Sequence, residues 1–115
     1  MGEIVYKIAR KTEWHEAERA GVFTGSPDDR RDGFIHLSSA EQVRATCAVH
    51  FAEEGDLLLV AIEAERLGEA LKWEVSRNGK KFPHLYGPLR LADIQSVLAI
   101  ETNPDGSHIF PADIP

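Results

Sequence analysis

Four side chains with usable chemistry crowd into one short stretch. Glu74 and Arg77 precede an Asn78-Gly79 pair, and His84 and Tyr86 follow it. A carboxylate can steady positive charge developing at a sugar carbon or take a proton from a nucleophile. A guanidinium can grip phosphate oxygens two at a time. With Trp73 and Phe82 adding apolar surface, the stretch has the mixture a small-molecule site needs, namely apolar walls with a few convergent polar groups. The plainer explanation is a surface hairpin whose Glu74 pairs with Lys72 or Arg77, and this segment alone accommodates both.

A second candidate pair lies earlier. His36 interrupts the apolar run at 33–37, just before an expected helix start. A neutral imidazole there donates one hydrogen bond and accepts another, which suits a ribose hydroxyl or an amide. A buried histidine satisfied by a backbone carbonyl fits the same position. Ser38 is equally double: its hydroxyl suits a helix cap, and any ligand role competes with that.

These groups need a scaffold, and the chain offers one. Asn-Gly between two strand-like runs predicts a hairpin over 72–88, because both central residues of a type I′ turn take positive φ. Its arms bring Glu74 and His84 near cross-strand opposition. Residues 3–9 and 94–101 read as strands, and 57–62 (L-L-L-V-A-I) as a central strand buried on both faces. Thr12 is the expected cap of a helix ending at Gly21, with Trp14, Ala17 and Ala20 on its apolar stripe. Residues 22–26 read as a short extended piece and 27–32 (P-D-D-R-R-D) as an exposed loop. Ser38 with Glu41 resembles a capping box opening a helix over 39–53, with Val43, Cys47 and Phe51 on its inner stripe. One or two helical turns are expected over 65–71, and a surface-lying tail over 102–115. The predicted core includes Leu58, Val60, Ile62, Val97 and Ala99. Strands and helices do not alternate regularly, so the fold class is α+β in a single domain over 1–115.

Composition narrows the function. The chain has 115 residues and a formal net charge of −6. General nucleic-acid binding normally needs a basic surface, so no such partner is expected. A local cluster of Arg77, Lys80 and Lys81 could still hold a phosphate. No apolar run reaches the roughly 20 residues a membrane span needs, and no secretion signal is read at the N-terminus. With Cys47 as its single cysteine, the chain suits a reducing, cytoplasmic setting. The five histidines show no metal-ligand spacing, so no metal site is expected. Cys47, on an apolar stripe, reads as inert core.

Y-K-I in the first strand, D-G-F-I-H-L-S at 32–38, K-W-E at 72–74 and F-P-H-L-Y-G-P at 82–88 together resemble the bacterial domain-of-unknown-function family 952. That resemblance implies an ADP-ribosyltransferase-like fold, in which two small, mostly antiparallel sheets flanked by two main helices clamp NAD in a cleft. It also implies roles. A first-strand residue, here Lys7 where many relatives show histidine, contacts substrate, and a late glutamate, matched by Glu74, supports a cationic sugar. On this reading His36 and Glu74 are the catalytic residues, and Lys7, Ser38, Arg77, His84 and Tyr86 bind substrate, with NAD or a related nucleotide as the ligand. The competing reading is a non-catalytic small-ligand or protein-interaction module that keeps the fold and has lost the chemistry.

Overall fold

A computed structural model of the chain describes residues 3–76, 79–111 and 114. Among the described residues the strands form one five-stranded, one three-stranded and one two-stranded sheet, all pairings antiparallel. The large sheet is built on β1 (Ile4–Arg10) and β5 (Leu57–Glu63), with β5 in its centre. Beyond β1 lies β4 (Ser38–Ser39). Beyond β5 come β9 (Ile94–Thr102) and β10 (His108–Ile109). β5 lacks polar alternation because both of its faces are covered. Leu58, Val60 and Ile62 share one core with Val5 and Ala9, and Leu57, Leu59 and Ala61 share the other with Tyr6 and Ile8. Full burial of each leucine, valine or isoleucine contributes about 1.5–3 kcal/mol.

Different layers cover the two faces. α1 (Lys11–Ala20) lays Trp14 and Ala17 on the first, ending at Gly21 with a φ of 82°. The same face carries β2 (Val22–Phe23) paired with β8 (Leu89–Arg90). It also carries a small sheet of β3 (Ile35–His36), β7 (Lys81–Leu85) and β6 (Leu71–Val75), in that order. α3 (Val43–His50) closes the second face with Val43 and Cys47, both fully buried. The architecture is therefore α+β, a curled antiparallel sheet with few helices. It has three sheets where two small ones were expected.

Several local expectations fail for identifiable reasons. Residues 27–32 are not a loop but α2 (Pro27–Asp32). Ser26 caps it, Asp29 returns the bond to the Ser26 N–H, and Pro27 stands at the first helical position. The segment 39–53 is helical only over Val43–His50. Ser38 and Ser39 instead form β4, because β1 needs a partner on its outer edge. The Ser38–Glu41 box is absent, and Gln42 instead accepts from the Ser39 N–H at 3.1 Å. α1 starts at Lys11, with Arg10 and not Thr12 at the cap. Ala20 is exposed, Phe51 is only half-buried against the second core, and Val97 and Ala99 are exposed, since β9 turns the half-buried Leu98 and the buried Ile100 to the other face. The tail does more than lie on the surface: β10 extends the sheet, and Ile114 is 7% exposed in the second core.

The hairpin forms as expected, with Lys72 opposite His84 and Glu74 opposite Phe82. The Ser76 N–H bonds the Lys80 carbonyl at 2.8 Å, so the closing pair encloses three residues where a type I′ turn would hold two. Gly79 takes a φ of 72°, while Asn78 and Arg77 lie outside the described residues.

Candidate functional site

On β1, Lys7 shares a face with Val5 and Ala9, which turns its ammonium into the protein; the residue is only 5% exposed. A charge so placed needs a partner. α2 supplies it: Lys7 Nζ donates to Asp29 Oδ2 at 2.8 Å. Asp29, 2% exposed, gathers three further donors. The Ser26 N–H reaches Oδ2 at 2.9 Å, and Oδ1 accepts from the His36 N–H at 3.1 Å and His36 Nδ1 at 2.6 Å. Burial works against this carboxylate's charge. The bonds from His36, Lys7 and Ser26 overcome it and hold the carboxyl well below its usual range. The other ring nitrogen of His36, Nε2, lies 3.0 Å from Asp32 Oδ2.

The hairpin builds a second pair. His36 on β3 and His84 on β7 are direct cross-strand partners, so both rings share a face, with centroids 5.9 Å apart. His84 Nδ1 donates to Glu74 Oε1 at 2.8 Å across the β6–β7 diagonal, and the Tyr86 hydroxyl donates to the same oxygen at 2.7 Å. The bond from His84, then that from Tyr86, lowers the Glu74 pKa, and the carboxylate in turn raises that of Tyr86. Phe34 joins the two units. Its ring stacks on His84 at 4.0 Å and leans on His36 at 4.6 Å and Tyr86 at 5.3 Å.

Both histidines line a cleft of about 410 Å³, which also takes in Lys7, Asp29 and Ser38. Ligand pockets typically run to roughly 300–1,000 Å³. At the cleft's other side Arg10 makes a two-pronged pair with Glu54 at 2.9 and 3.1 Å and covers the Phe51 ring at 5.0 Å. The fold thus brings together Lys7, His36, Ser38 and His84 from the predicted set. Ser38 spends its hydroxyl on Thr46 at 3.3 Å and caps no helix. Glu74 and Tyr86 stand behind His84, and Arg77 lies outside the described residues. Among the described residues no group of three or more His, Cys, Asp or Glu is placed to hold a metal ion. Cys47 sits in the core with its thiol pushed up to about 11 by burial.

Sequence reading missed Asp29, Asp32 and Phe34. The signal for Asp29 was present in S-P-D-D at 26–29, a hydroxyl cap with proline next and an acid three residues on. Asp32 and Phe34 had no such mark, because each matters only through the ring it touches.

The model of a family described as "Protein of unknown function (DUF952)" matches residues 8–97. The crystal structure of protein CC0527 from Caulobacter crescentus is similar at 45% identity and a TM-score of 0.89, over 92% of this chain and 93% of that one. Its solution structure gives 47% identity and a TM-score of 0.81, over 90% and 89%. No curated protein matches the chain. Among the described residues no helix is long and apolar enough to cross a membrane.

Proposed function

The chain belongs to the DUF952 family, and we propose that its cleft takes a nucleotide of the NAD or ADP-ribose class, with the ribosyl end against His36 and His84. One observation carries this reading. Two histidines on adjacent strands, each fixed at Nδ1 by its own carboxylate, stand 5.9 Å apart in the wall of a cleft of about 410 Å³. A fixed imidazole is suited to hydroxyl and amide groups, and Leu37, Phe51 and Phe82 add apolar surface to the same cleft. Lys7 and Ser38 complete the wall on the β1 side, Lys7 acting through Asp29. Of the cations expected at a diphosphate, Lys80 closes the hairpin through its carbonyl, and Arg77 lies outside the described residues.

The chemistry that goes with such a ligand is NAD hydrolysis or ADP-ribosyl transfer. A second reading, a binder without turnover, is favoured by one specific feature. Glu74, the expected support for a cationic sugar, gives one carboxylate oxygen to both His84 and Tyr86. Calorimetric titration with NAD and ADP-ribose tests the ligand class. Saturable heat that disappears in His36→Ala is the expected result, and no heat at millimolar ligand would sink the proposal. Nicotinamide release from the same samples separates the two readings.

A further inference from the structure

The two cleft histidines differ in how many of their nitrogens are occupied. His36 faces carboxylate oxygens with both, at 2.6 Å to Asp29 and 3.0 Å to Asp32. Among the described residues His84 has a carboxylate on Nδ1 alone. Carboxylates only accept, so the His84 ring donates from Nδ1, and in the neutral imidazole the lone pair then lies on Nε2, the edge away from Glu74. The ring itself is 7% exposed in its side chain and lines the cleft, with Phe34 flat against it at 4.0 Å. A histidine oriented through one nitrogen and open at the other is the arrangement of a general base.

We propose that His84 is the catalytic base of the cleft, that Glu74 and Tyr86 are its positioning residues, and that the reaction is hydrolysis of the nicotinamide–ribosyl bond of NAD. The assignment rests on the nucleotide reading above and deepens it. Lys7 Nζ, the Tyr86 hydroxyl and both ring nitrogens of His36 already face carboxylates. Such a site supplies a base more readily than an acid, and it suits a leaving group that departs without needing a proton. Nicotinamide leaves a pyridinium ribosyl bond as a neutral molecule, taking the bonding electron pair. In that step His84 Nε2 removes a proton from water as the water oxygen bonds the ribosyl carbon. The proton then passes to solvent, and the products are nicotinamide and ADP-ribose. Glu74 acts through the ring, fixing its tautomer and stabilising the imidazolium that forms, rather than touching the sugar.

The test combines calorimetry, nicotinamide release and imidazole nitrogen NMR on the full chain. Wild type should bind NAD, release nicotinamide and show His84 as the Nδ1–H tautomer. His84→Asn should bind NAD within a few-fold and lose turnover on the order of 10²–10⁴-fold, the usual worth of a general base. Because position 84 is buried, Glu74→Gln provides a second arm at a more open site. It should lower kcat without raising KM and weaken the tautomer preference of His84. NAD bound with no nicotinamide release overturns the inference and leaves the ligand class standing. Undiminished turnover in His84→Asn does the same. Absence of NAD binding removes the ligand reading, and the hydrolysis with it.

Discussion

Asp29 and Glu74 each hold a cleft histidine by its Nδ1, yet one carboxylate is shut away from solvent and the other is not. Asp29 takes four hydrogen bonds from two strands and the turn before α2, and one of them comes from a buried lysine. Glu74 takes two, both from the arm that its own hairpin folds back. The first arrangement ties β1, α2 and β3 together, so its charge has become part of the fold. The second could be taken apart without moving a strand. Two similar histidine–carboxylate contacts therefore differ in kind: one is built into the cleft wall, and the other sits at its more open side and, on the reading proposed above, leaves Nε2 of His84 for chemistry.

The sharpest way to break this contrast is Asp29→Ala. It leaves the Lys7 ammonium buried without its partner, a change that typically costs about 3–5 kcal/mol. Denaturant unfolding of the variant against wild type measures it. A loss near that of an ordinary surface substitution would mean that Asp29 does not organise the wall.

How far this division could be read from sequence follows the same line. The hairpin carrying Glu74 and His84 is local, with a turn signal and strand-like arms, so its pairing was legible within 72–88. The L-L-L-V-A-I run announced a strand covered on both faces, and β5 is that strand. Asp29 was hidden for the opposite reason. Its partners lie 22 residues before it and 7 after, and P-D-D-R-R-D looks like solvent-facing loop until Lys7 is known to point inward. Ser38 was misread because the need of β1 for an edge partner outweighs the preference of a serine for a helix cap. Val97 and Ala99 were misassigned in phase: β9 alternates, and the run I-Q-S-V-L-A-I offers apolar residues to either face.

Acid separates the two carboxylates next. The folded pKa of Asp29 lies below its unfolded value, which is near 4 for an aspartate. The stability it confers is therefore complete above about pH 4 and drains away as pH falls further, because the unfolded chain binds the proton first. Urea midpoints measured from pH 7 to pH 3 should drop steeply in wild type and more gently in Asp29→Asn. An identical pH slope in the two proteins would contradict the role given to Asp29.

A smaller effect is expected at Ser26, whose hydroxyl accepts the Asp29 N–H at 3.3 Å and starts α2. Ser26→Ala should cost about 1 kcal/mol, as lost caps do. Because α2 carries Asp29, the variant should also loosen the Lys7–Asp29–His36 chain, visible as faster amide exchange at His36. Cap loss without faster exchange would show that the four bonds hold Asp29 in place unaided.

The smallest expected change in stability is the one that decides the comparison. In Glu74→Gln the side-chain carbonyl can still accept from His84 Nδ1 and from the Tyr86 hydroxyl, so the diagonal contact keeps its geometry and loses only its charge. Glu74 is the more open of the two carboxylates, and water already solvates it. Little is gained from that charge in the folded state and little is lost with it. The thermal midpoint should match wild type within error, and the Phe34–His84 ring stack should persist in proton NMR contacts. A large drop in midpoint, or a displaced His84 ring, would make Glu74 a second structural hub like Asp29. The division between a rigid wall and a working nitrogen would then fall.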